Sequence, residues 1–277
     1  MSTITIIGTG WLGLPLAQTL STKAHNVYAS RTTLSGVDEL TDKRLHAFRC
    51  DLTQRDHSLS QHLIQQHSDI VIGCFPPGLR KGKGQDYPMQ WQYLVEQAKL
   101  ANVKKIIMVS STSVYPNVAK EMLEQDASLL LAQQNEAFSD GARIMLQAEQ
   151  YVIDSDLNYV IVRCSGLIGP NRHPSRFAAR LPQVSRLAPA NMLHLEDAVG
   201  VVTFAAEKLS NQIVNATTPQ TVSKAEFYQA ALNAAQLNSP LPPIVDIADK
   251  RIMSNKIEQL GYQFHYGNTL EALAIHE

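Results

Sequence analysis

Residues 2–7, Ser-Thr-Ile-Thr-Ile-Ile, form a short β-branched, apolar run that stops at Gly8-Thr9-Gly10-Trp11-Leu12-Gly13. Leu12, Leu16 and Leu20 then recur every fourth residue, the spacing of one helix face. Strand, glycine turn and helix in immediate succession are what give G-x-G-x-x-G its physical meaning. Gly8 allows a tight turn, Gly10 lets a pyrophosphate approach the backbone with no Cβ in the way, and Gly13 lets the helix sit close to the strand. Free N–H groups at the helix start then face the phosphates. The motif predicts a dinucleotide-binding fold, with Gly8, Gly10, Trp11, Leu12 and Gly13 against the cofactor.

The second strand is expected at residues 25–30. In a dinucleotide fold the residue closing it faces the adenosine ribose, and an acid there marks NAD. Here the tip reads Ser30-Arg31-Thr32-Thr33, with no acid before Asp38. A guanidinium flanked by hydroxyls suits a 2′-phosphate. Ser30, Arg31 and Thr32 therefore predict NADP, with NAD as the alternative; a solvated loop arginine is the plainer reading of Arg31. A third strand at 45–52 closes on Asp51 and Leu52, set against the adenine edge. His57, His62 and His67 lie five apart, about 140° around a helix, so they share no face and are read as solvated, with no metal site.

The near-continuous apolar run 69–75 is a strand buried on both faces, ending at Phe75 beside the cofactor. The basic, glycine-punctuated loop 79–86 is either a lid or a solvated loop. A helix follows at 87–101, with Trp91 on its core face. The strand 105–111 runs into Ser110-Ser111-Thr112-Ser113-Val114-Tyr115. Hydroxyls at the C-terminal end of a strand in an open parallel sheet lie where ligands bind. Ser110 is assigned to the cofactor, Ser111 and Thr112 to polarising a carbonyl or alcohol, and Tyr115, with His194 as the alternative, to acid/base work. Residues 117–138 are polar and weakly patterned. Helical or strand patterns at 141–151, 158–164, 195–209, 212–216 and from Ser223 onward complete a doubly wound parallel α/β sheet, a Rossmann arrangement.

From residue 157 to 195 there is no Asp or Glu, yet Arg163, Arg172, Arg176, Arg180 and Arg186 all fall inside. Arginine forks match phosphate and carboxylate oxygens, so Arg172, Arg176 and Arg180 are candidate ligands for a small anionic substrate. Compensation by acids from elsewhere in the fold is the alternative. The 277-residue chain has a formal net charge of −1, which argues against nucleic-acid or membrane partners working through bulk electrostatics. The three cysteines form no C-x-x-C pair and read as buried free thiols. With no leader pattern before the first strand, a cytoplasmic location is expected.

Together these residues resemble the extended short-chain dehydrogenase/reductases, also called NAD-dependent epimerases/dehydratases. The resemblance rests on the glycine motif and the Ser110–Tyr115 segment. It rests equally on Arg163-Cys164-Ser165-Gly166-Leu167-Ile168-Gly169-Pro170, on His194-Leu195-Glu196-Asp197, and on Lys250-Arg251-Ile252-Met253-Ser254-Asn255-Lys256 leading to Gly261-Tyr262. It implies a cofactor domain, 1–165 plus about 195–212, and a smaller substrate domain, about 166–194 plus 213–277. A nucleotide sugar is the substrate that such a family frequently takes. The family's catalytic Y-x-x-x-K, aligned through Glu149, finds Gly141 where Tyr belongs and Met145 where Lys belongs. That places the chain in the atypical branch. It leaves two readings, an NAD(P)-dependent oxidoreductase or epimerase-like enzyme, and a non-catalytic dinucleotide-binding sensor or regulatory protein.

Overall fold

The computed structural model describes residues 1–79, 82 and 84–273. Seven strands make one parallel sheet: β1 (Thr3–Ile7), β2 (Asn26–Arg31), β3 (His46–Arg49), β4 (Ile70–Gly73), β5 (Lys105–Ser111), β6 (Asn158–Cys164) and β7 (Gln212–Ala216). Their spatial order is β7-β6-β5-β4-β1-β2-β3, so the chain reverses direction across the sheet between β1 and β4. In such sheets that reversal opens a crevice at the strands' C-terminal ends. The β-branched, apolar sequences of β1, β4 and β6 suit strands covered on both faces, and Ile4, Ile6, Ile72, Val160 and Val162 are fully buried.

The crossover helices are α1 (Gly13–Thr22), α2 (Leu34–Asp42), α3 (Ser58–Gln65), α4 (Tyr87–Leu100), α5 (Asp140–Ile153) and α6 (Leu195–Lys208). One face of the sheet packs on α1 and α6 through Leu16, Leu20, Val201 and Val202; the other packs on α4 and α5 through Trp91, Leu94, Leu146 and Val152. Several helix starts carry the caps their sequences offer. Thr33 accepts the Gly36 N–H, Ser139 that of Ala142, and Ser223 that of Glu226 at the head of α7 (Lys224–Ala234). Trp91 does belong to the core: its ring fills the space where a Cβ on Gly73 would stand.

A smaller cluster, with Ile168, Ala190, Phe227, Ala231 and Tyr266, forms beyond the C-terminal ends of the sheet strands β6 and β7. Short parallel strand pairs stitch this part together, Met192–His194 on Gly166–Ile168 and Ile244–Val245 on Val184–Ser185. The weakly patterned stretch contributes Glu121–Met122, which pairs with Arg251–Ile252.

Two expectations about single residues are corrected. His62 is not solvated: it is half-buried and stacked on Phe48 at 3.7 Å between ring centroids, and burial lowers its pKa. Of the cysteines, Cys164 is buried but Cys50 and Cys74 only partly so. All three are free, and burial pushes the Cys50 and Cys164 thiols up to about 12. Of the basic loop, Arg80, Lys81 and Lys83 lie outside the described residues.

Candidate functional site

The glycine turn is built by close contacts on two sides and left open on the third. Gly8 has φ +92°, and a Cβ there would stand 2.9 Å from the Phe75 nitrogen. A Cβ on Gly13 would meet the Gly8 carbonyl oxygen at 2.6 Å, whereas one on Gly10 would meet nothing within 4 Å. The Gly8 N–H donates to Ser30 Oγ at 3.1 Å and the Thr9 N–H to the Ser30 carbonyl at 3.1 Å, which pins the turn to the end of β2. Among the described residues no acceptor meets the N–H of Trp11 or Leu12, and the first turn of α1 carries no acid. An open backbone face, unmet donors and a helix N-terminus fit the pyrophosphate of a dinucleotide.

At the adenosine end the sequence misassigned Ser30. Its side chain is buried and holds the glycine turn, so it does not reach a ribose. Arg31 stays at the tip, its Nε buried without a partner and its Nη2 3.9 Å from a largely exposed Glu39. Arg49, which the sequence reading passed over, is the register neighbour of Arg31 on β3 and donates to the exposed Thr32 carbonyl at 3.2 Å. Its position at the end of a strand expected to neighbour β2 was the available signal. Asp51 turns its carboxylate back onto the Thr53 N–H and hydroxyl, at 3.0 and 2.7 Å. Leu52 is buried in the core, and Phe75 is half-buried, stacked on Trp91 at 4.9 Å.

At the other end of the crevice, Ser110 and Ser111 sit on opposite faces of β5, as consecutive strand residues must. Ser110 points into the interior and donates to Glu149 at 2.6 Å, which corrects its assignment to the cofactor. Glu149 also pairs with the buried Arg163 at 2.7 Å, and Arg163 reaches Tyr115 Oη and the Glu124 carbonyl. Tyr115 is corrected in the same way. It is 1% exposed, donates to Asn215 Oδ1 at 2.6 Å, and burial raises its pKa to about 12, so it has no access to an acid/base role in the cleft. Ser111 and Thr112 remain half-buried at the strand end, with Ser111 Oγ accepting the Ser113 N–H at 3.1 Å.

Gly141 and Met145, where the family resemblance expects a tyrosine and a lysine, have mainly apolar side chains about them. A Cβ on Gly141 would lie 3.3 Å from a Leu79 methyl, and Met145 is buried with its sulfur 3.4 Å from the Ser113 hydroxyl. The arginines of the acid-free run differ in their surroundings. Arg163 is the buried partner of Glu149 and Arg186 pairs with Asp246 at 2.7 Å. Arg176 donates to the Asn171 carbonyl, Arg180 is exposed, and Arg172 lies over the Trp11 ring. Among the described residues no cluster of metal-ligating side chains occurs and no helix is long and apolar enough to cross a membrane.

A doubly wound parallel sheet with an open glycine turn at the start of its first helix defines a nicotinamide-dinucleotide-binding protein of the Rossmann type. A family model described as NAD(P)H-binding matches residues 8–187, and the chain belongs to that family. Protein YeeZ of Escherichia coli K12 is 28% identical over 98% of both chains. A 3-diazoavenalumate denitrifying reductase of Streptomyces is 24% identical over 79% of this chain and 76% of its own. The structure of the Bordetella bronchiseptica enzyme WbmH in complex with NAD+ matches with a TM-score of 0.77 at 20% identity, covering 99% of this chain and 96% of that one. The chain therefore shares its fold with that NAD+-complexed enzyme over nearly its whole length.

Proposed function

We propose that the chain is an NADP(H)-dependent oxidoreductase or epimerase-like enzyme acting on a small anionic substrate, of which a nucleotide sugar is one form. The observation that carries the cofactor choice is the pairing of Arg31 and Arg49 at the ends of neighbouring strands. Like charges side by side repel, and the Arg31 Nε is buried with no partner. A 2′-phosphate between the two guanidinium groups relieves both. The dinucleotide, once bound, supplies the hydride chemistry at its nicotinamide. The chain contributes the Ser111 and Thr112 hydroxyls to hold the reacting oxygen, and the exposed Arg176 and Arg180 to meet the substrate's anion.

Calorimetry on wild type and Arg31→Ala tests this reading. NADPH is expected to bind more tightly than NADH by about 1.5–3 kcal/mol, the worth of a charge-assisted hydrogen bond, and the variant to lose that difference. Equal affinities in the wild type, unchanged by the substitution, would sink the NADP reading. A second reading, a dinucleotide-binding sensor without turnover, draws on Leu79 and Met145 occupying the seat of the usual tyrosine and lysine. Tight NADPH binding with no oxidation of it across sugar nucleotides, aldehydes and keto acids would favour the sensor.

A further inference from the structure

The sequence Gly169-Pro170-Asn171-Arg172, which follows the short strand Gly166–Ile168, comes to rest on the glycine turn. Trp11 Nε1 donates to the Pro170 carbonyl at 2.9 Å, and the Arg172 guanidinium carbon lies 5.2 Å from the centre of the Trp11 ring. Gly169 makes this approach possible. It has φ +145°, and a Cβ there would stand 3.0 Å from Leu195 Cβ and 3.5 Å from Trp11 Cζ2.

The glycine motif itself does not require a tryptophan after Gly10, because a pyrophosphate is met there by backbone N–H groups. The indole instead holds a segment from 159 residues further along the chain. Its ring face attracts a guanidinium electrostatically, which draws the Arg172 side chain onto it. Trp11 directly follows Gly10, whose outer side is open space, and its backbone N–H meets no acceptor among the described residues. In the same turn the Thr9 hydroxyl is fully buried with no partner. A cation placed over this ring is therefore carried on the residue next to the open Gly10, and it comes from a different part of the fold than the turn does.

We propose that Arg172 is a cofactor-binding residue, held on the Trp11 ring so that its guanidinium takes a pyrophosphate oxygen of the bound dinucleotide and ties residues 169–172 to the occupied turn. This rests on dinucleotide binding at Gly8–Gly13 and moves Arg172 from the substrate side of the cleft to the cofactor side. NADP+ and NAD+ share the pyrophosphate, so the assignment makes a demand that no role at the 2′-phosphate or at the substrate makes.

The test is calorimetric titration of the full chain with NADP+ and with NAD+, for wild type and Arg172→Ala, beside the unfolding midpoint of each free protein. The expected result is weaker binding of both dinucleotides by the same factor, roughly tenfold to a hundredfold for a lost charge-assisted hydrogen bond, with the midpoint unchanged. Trp11→Ala, which removes the perch and keeps the arginine, is expected to weaken both by a smaller, again equal, factor. Affinities within twofold of wild type in Arg172→Ala would overturn the proposal. So would a loss confined to NADP+, which would place the guanidinium at the 2′-phosphate. A loss accompanied by a lowered midpoint would mark a structural role and overturn it as well.

Discussion

Ser111 is the half-buried hydroxyl at the end of β5 whose oxygen already accepts one backbone N–H, from Ser113 at 3.1 Å. That contact fixes the side chain's orientation and leaves its proton free to donate to a reacting oxygen. Loss of one such donor typically costs on the order of a hundredfold in turnover. Ser111→Ala is expected to lower the kcat of whatever reduction is found by about that factor, while NADPH affinity stays within twofold. Turnover that survives the substitution intact would place the reacting centre elsewhere. The neighbouring residues show how much of this site could be read from the chain. Ser110, Ser111 and Tyr115 look alike as hydroxyls near a strand end. Strand alternation already implies that Ser110 and Ser111 face opposite ways, but which of them meets the cleft depends on where Glu149 lies. Gly141 and Met145 are of another kind, since setting them at the positions of a catalytic Tyr and Lys rests on the family resemblance aligned through Glu149.

Beneath the strand ends, β5, β6, α5 and β7 are joined by a chain of buried polar contacts running from Ser110 through Glu149, Arg163 and Tyr115 to Asn215. Glu149 and Arg163 are each 1% exposed, so the pair has no water to fall back on. Removing one charge from such a pair strands the other, at a typical cost of about 3–5 kcal/mol. Glu149→Gln keeps the shape and leaves Arg163 uncompensated. Urea unfolding is expected to show a loss of that size, and a change under about 1 kcal/mol would mean that the Tyr115, Glu124 and Ala127 contacts alone satisfy the guanidinium. The run of arginines without acids between residues 157 and 195 pointed to an anionic ligand, but for Arg163 and Arg186 the compensating acids lie outside the run, Glu149 at 14 residues' separation and Asp246 at 60. Only the crossing of elements brings them together.

Across the molecule, a bound dinucleotide would touch the β1–α1 turn, the tips of β2 and β3, and the end of β5, which are separate stretches of chain on one sheet edge. A ligand that binds only the folded state stabilises it by mass action, about 2.7 kcal/mol at a concentration a hundred times its Kd. For a chain of 277 residues NADPH at that excess is expected to raise the unfolding midpoint by roughly 5 °C. An unchanged midpoint would contradict binding at the glycine turn. The architecture that makes such a site was legible early. β5, β6 and β7 match the expected spans within a residue, because apolar β-branched runs between helix-period segments leave few other folds open.

The nearest-neighbour features followed from the chain alone: the strand–turn–helix at Gly8–Gly13, the missing acid at the tip of β2, and the alternation that builds a doubly wound sheet. Each depends on backbone conformation or on contacts a few residues apart, and local sequence specifies those. Which side chains face the crevice was settled by long-range packing. Ser30 turned to the Gly8 N–H, Tyr115 went into the core beside Asn215, Arg49 came alongside Arg31, and Arg172 came onto Trp11. A polar side chain takes whatever partner the fold brings within about 3 Å, and that partner's position in the sequence carries no trace of the meeting.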